Sequence, residues 1–126
     1  MDSNAFLEQV KGYRDNRWRL MLINATTVLP RPDAEAGAFD ISWSFEREGQ
    51  VEHVRHHVAP EEDVPSICTL YGCAFLYENE MHELFGVKVS GMQVDFKGEL
   101  YRAREKVPFS PRAIQARLAA RGGKQK

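Results

Sequence analysis

Between Phe39 and Glu46 the chain alternates without a break. Phe39, Ile41, Trp43 and Phe45 are apolar, and Asp40, Ser42, Ser44 and Glu46 are polar. A period of two sends successive side chains to opposite faces, so this stretch reads as a strand with one buried and one wet face. Glu48-Gly49 follows as a turn, and Val51 to Val58 as the return strand of a hairpin. The valines of the second segment also fit a helical spacing, but the turn before them and their β-branching favour a strand. Such a hairpin must cover its apolar face with other elements, and 126 residues leave room for one core and not for two.

The neighbouring segments supply that cover. Ser3 to Asp15 reads as a helix with Ser3 or Asn4 as its cap and Phe6, Leu7 and Val10 as its apolar stripe. Trp18 to Leu29 reads as a strand. Its run Leu20-Met21-Leu22-Ile23 is apolar on both faces, which predicts a central position with Leu20 and Leu22 near the core. Pro60 to Asp63 is an acidic loop. Gly72 to Phe85 is a second helix, with Ala74, Tyr77, Met81, Leu84 and Phe85 on one face and Gly86 as its stop. Val87 to Val89 is a short strand. Pro111 to Ala120 is a short basic helix within a segment of little periodicity. The expected fold is α+β in two layers, an antiparallel or mixed sheet with helices packed on one face and an irregular C-terminal tail. Residues 1–106 form the single domain and 107–126 the basic tail.

Charge divides the chain. Asp33 to Asp63 holds nine acids and two bases, while Arg102 to Lys126 holds eight bases and one acid. The sum of −1 argues against nucleic acid as a partner, and the basic tail suits an acidic partner or surface. The longest uncharged run, Val64 to Tyr77, is too short to span a bilayer and is broken by Pro65, Ser66 and Gly72. No secretory leader is expected at the N-terminus, so Cys68 and Cys73 are expected to be reduced thiols.

Most candidate sites fail on spacing. His53, His56 and His57 cluster, with His53 and His57 on one face of the strand, but a zinc site needs three or four ligands. His82-Glu83 opens like a zinc-protease helix, yet Gly86 stands where the second histidine belongs. No phosphate loop and no nucleophile elbow are present. No catalytic, cofactor-binding or metal-ligating residue is expected. What remains is the second helix, where Glu78, Glu80 and Glu83 crowd together. Glu78 lies along the apolar stripe, so its carboxylate must find a partner or stay partly wet.

The stretch from Val64-Pro-Ser-Ile through Glu78-Asn-Glu-Met-His-Glu-Leu-Phe-Gly86 resembles the signature of the C-type subunit of NADH-quinone oxidoreductase, respiratory complex I. That family shows a Pro-Ser-Ile or close variant and then an aromatic helix with Glu-Arg-Glu, two residues, an acid, two apolar residues and glycine. Asn79 stands here in place of the arginine, and Met92 and Phe96 stand where His or Lys and then Arg are usual. The variant looks like the short, D-type subunit of membrane-bound energy-converting nickel–iron (NiFe) hydrogenases, helped by Asp95-Phe-Lys-Gly98.

The resemblance implies a non-catalytic structural and assembly subunit with no cofactor of its own. The NiFe centre and iron–sulfur clusters are expected in partner subunits. Those partners are the large hydrogenase-like or quinone-site chain and the iron–sulfur subunits, on the cytoplasmic side of a membrane. Glu78, Glu80, Glu83, Phe109, Ile114 and Leu118 are the expected interface residues, with Glu78 and Glu80 serving docking rather than folding. Alternatives are the C-type subunit of an NADH-quinone oxidoreductase, a stand-alone metal enzyme using His53, His57 and the helix glutamates, and an RNA- or lipid-binding adaptor acting through the tail.

Overall fold

A computed structural model of the protein describes residues 1–28 and 37–92, together with Ser110 and Ile114. Helix α1 spans Ser3–Asp15 as expected, but its cap is Asp2 rather than Ser3 or Asn4. The Asp2 carboxylate accepts from the backbone N–H of Asn4 at 3.1 Å and of Ala5 at 3.2 Å. A carboxylate suits this place because it also meets the positive end of the helix dipole. Phe6 and Val10 are buried on the inner side of α1.

Strands β1 (Arg19–Thr27), β2 (Phe39–Arg47) and β3 (Gln50–Val58) form an antiparallel sheet in that order. The alternation in β2 is realised. Phe39, Ile41, Trp43 and Phe45 face the core, where Phe6 meets Trp43 at 4.5 Å between ring centroids and Tyr13 stacks on Phe45 at 4.4 Å. Glu48 and Gly49 turn the chain with φ of +51° and +83°. Two left-handed residues in a two-residue loop match the right-handed twist of the strands they join.

β1 departs from expectation. It is an edge strand, and β2 is central. Its register breaks between Leu20, opposite Phe45, and Leu22, opposite Ser44. The inserted residue lets Leu20 and Ile23 both face inward, each 6% exposed, and turns Leu22 outward at 39% exposed. The apolar run is therefore the mark of a bulge, not of burial on both faces. Two tyrosines fasten this edge. Tyr77 donates to Met21 O at 2.9 Å and Tyr71 to Trp18 O at 2.7 Å. Burial pushes the Tyr71 hydroxyl up to about 12, so it keeps the proton it donates.

A second, smaller sheet joins distant segments. β4 (Asp63–Pro65) takes the end of the acidic loop, where no strand is expected. It pairs in parallel with β5 (Lys88–Ser90), which is the expected short strand moved by one residue. Between them, helix α2 (Ala74–Glu80) continues as a π-helical segment, Met81–Phe85, and stops at Gly86 with φ of +82°. The wider winding changes the phase of the last turn. Glu83 turns inward at 5% exposed while Leu84 and Phe85 are only half-buried, the reverse of an unbroken α-helical stripe. Ala74 and Met81 join the same core as α1 and β2, so the helices cover one face of the sheet and the fold is α+β. Of the expected tail helix, Ile114 is helical and half-buried, with its N–H bonded to Ser110 O at 3.0 Å. Phe109, Leu118 and the rest of the stretch 107–126 lie outside the described residues.

Trp43 has no exposed surface and touches both α1 and β3. Trp43→Ala is expected to cost about 3–5 kcal/mol. Urea unfolding of the two proteins measures this, and a cost near zero would place the core elsewhere.

Candidate functional site

The second helix is held against the turn that precedes it. β4 delivers Pro65 and Ser66 to the side of α2, and there the Glu78 carboxylate takes two hydrogen bonds. Ser66 Oγ donates to Oε1 at 2.6 Å and the Ile67 N–H to Oε2 at 2.8 Å. Ser66 Oγ accepts in turn from the Cys68 N–H at 3.2 Å, and the Ser66 N–H reaches Ser90 O on β5 at 2.8 Å. One side chain thus ties α2 to β4, and through Ser66 to β5. Glu78 is 1% exposed. It is a core residue with work inside the chain, which corrects the expectation that it leaves folding untouched.

Burial pushes the Glu78 carboxyl above its ordinary range, and the bonds from Ser66 and Ile67 pull it partway back. Desolvation disfavours the charged form, while hydrogen bonds to that form favour it. Here desolvation is the larger effect.

The rest of the signature is sorted by the helix. Asn79, where the family carries arginine, is buried at 1% exposed and donates from Nδ2 to Phe75 O at 2.7 Å. Glu80 is half-buried and Glu83 is buried. The His82 Nδ1–H donates to Val87 O at 3.1 Å and steadies the stop at Gly86. Cys68 is buried and Cys73 exposed, and both are free thiols.

The histidines separate as the strand period requires. His53 meets Ser44 Oγ at 2.7 Å and His57 meets Asp40 at 2.9 Å, both on the outer face of the sheet. His56 faces inward, edge-on to Phe6 and Trp43. α2 packs on the inner face, so the sheet stands between its glutamates and His53 and His57. Among the described residues no three His, Cys, Asp or Glu side chains gather to hold a metal ion.

Residues 1–100 match the family described as the 30 Kd subunit of respiratory-chain NADH dehydrogenase. The chain belongs to that family. No individual curated protein matches the sequence. As a member of the 30 Kd subunit family, the chain is part of a complex I-like assembly and has partner subunits there. Among the described residues no helix is long and apolar enough to cross a membrane. The match takes in β4, the Ser66 turn, α2 and β5. The sequence points to Glu78 but not to its partners. Their signal is the Pro65-Ser66-Ile67 triplet, which belongs to the same signature as the glutamate.

Two outcomes follow for Glu78. Gln can accept from Ile67 and donate to Ser66, whereas Leu leaves a buried N–H unpaired, a loss of about 1–3 kcal/mol. Glu78→Leu is therefore expected to destabilise the chain and Glu78→Gln to keep it folded, as read by thermal melting. The pH dependence has a definite sign. A carboxyl raised in the folded state gives stability that is whole below the unfolded value, near 4.5, and is lost as pH rises through the folded one. Glu46 and Glu62 are lowered by their partners and act the opposite way. Relative to Glu78→Gln, the parent protein should weaken as pH rises above about 4.5. Parallel curves across that range would show that Glu78 carries no linked proton.

Proposed function

We propose that the chain is a non-catalytic structural subunit of an energy-converting NiFe hydrogenase, docked on the large catalytic subunit at the cytoplasmic side of a membrane. The observation that supports this best is the use of the signature carboxylate. Glu78 faces inward and holds Ser66 and Ile67, so the acid at the head of the most specific motif in the chain maintains a shape and is not offered to solvent. Electron transfer and the NiFe and iron–sulfur centres belong, in this reading, to the large and iron–sulfur subunits, and this chain carries no cofactor. Asn79, Met92 and Phe96, which differ from the complex I signature, favour the hydrogenase branch.

In this reading Glu80, half-buried at the end of α2, and Ile114 contribute directly to the interface, together with Phe109 and Leu118 of the basic tail. Glu78 contributes from inside, by fixing the turn on which the surface is built, and Glu83 is buried in the π-helical segment that follows. The second reading, the C-type subunit of an NADH-quinone oxidoreductase, is favoured by the description of the family itself.

Affinity purification of the tagged chain from detergent-solubilised membranes separates the two. Co-purification with a nickel-containing large subunit and hydrogen-oxidising activity is the expected result. A nickel-free assembly that oxidises NADH would select the second reading. Tightly bound metal on the isolated chain, one ion per chain, would overturn both in favour of a metal protein.

A further inference from the structure

The outer face of the three-stranded sheet carries no covering element among the described residues. The register arranges it in rows. Asn24, Ser42 and Arg55 lie side by side across β1, β2 and β3, and Thr26, Asp40 and His57 form the next row. Together these rows line a hollow of about 340 Å³. Asp40 is matched by His57 at 2.9 Å. Arg55 is not matched. It is exposed, its cross-strand neighbour is a serine, and it makes no hydrogen bond or ion pair among the described residues. A guanidinium fork beside a hydroxyl and an amide is a donor set suited to a carboxylate.

The surroundings narrow the occupant. Leu22, 39% exposed, and Val51, 47% exposed, stand on the same face in the two rows that follow Arg55 and offer apolar contact on that side. Each acid of this face is already matched, Asp40 by His57 and Glu46 by Arg19, so the face holds no surplus of positive charge to draw a polyanion such as a phosphodiester backbone or an anionic lipid surface. Arg55 is then the one guanidinium of this face without a carboxylate among the described residues, and with an apolar patch to one side it fits a single carboxylate set in a protein surface.

We propose that the outer sheet face is a second docking surface, which receives an aspartate or glutamate of a neighbouring subunit on Arg55, with Asn24 and Ser42 completing its hydrogen bonds. The proposal rests on the assembly reading above and adds to it a surface on the side of the sheet opposite the signature helix.

The test uses the intact complex, purified through a tag on this chain, with a photoreactive benzoylphenylalanine at position 26, where Thr26 lines the hollow but takes no part in the proposed hydrogen bonds. Irradiation should join position 26 to an Asp- or Glu-containing segment of another subunit. Arg55→Glu should lower the amount of chain recovered in the complex about tenfold or more while its melting is unchanged. Replacing the cross-linked acid with lysine should restore that recovery. If the complex assembles but position 26 forms no intersubunit adduct, the proposal fails and the assembly reading stands. An adduct to a second copy of this chain, or to a segment without an acid, also defeats it. If the tagged parent chain brings down no redox subunit, the assembly reading fails and this proposal falls with it.

Discussion

The Glu78 carboxylate, taken out of water and bonded on both oxygens, is the constraint on which the C-terminal half of the described fold depends. Burying a carboxylate is costly unless its oxygens are satisfied. Ser66 Oγ and the Ile67 N–H satisfy them with short, charge-assisted bonds. The same serine reaches Ser90 with its backbone. The turn, the helix and the parallel strand pair therefore cannot be moved independently. The surface that these elements present outward takes its shape from a group that never reaches the surface.

The sheet makes a second division, between its two faces. Its inner face is filled by aromatic rings from β2 and α1, and its outer face is a field of hydroxyls, amides and charges. A plate covered on one side only, among the described residues, is well suited to a member of an assembly, because its polar side stays available. The bulge at Met21 and the tyrosines on β1 serve the same end. They bend and fasten the edge strand, which otherwise offers free backbone groups to any passing strand.

Local signals are the ones legible in the sequence. The β2–β3 hairpin, the span of α1 and the stop at Gly86 each follow from neighbours within a few residues. The cap falls one position before the expected pair because Asp2, Ser3 and Asn4 are all competent caps in isolation. The bulge is hidden because Leu20, Met21, Leu22 and Ile23 look alike as apolar residues, and only the partner strand reveals which two face inward. β4 holds three residues, too few for any period to show, and its pairing with β5 joins distant parts of the chain. Glu78 is visible as an acid on an apolar stripe. Its partners are not, since the turn reaches it only once the parallel pair has formed.

The two sheets also close over very different lengths of chain. β2 and β3 meet across two turn residues, whereas Asp63 and Lys88 stand 25 positions apart and gain only a three-residue ladder. The entropy of closing the longer loop must be met before such a short ladder can repay it. Loop closure alone therefore favours the hairpin over the parallel pair, whose three-residue ladder leans on the Glu78 bonds for its place in the fold.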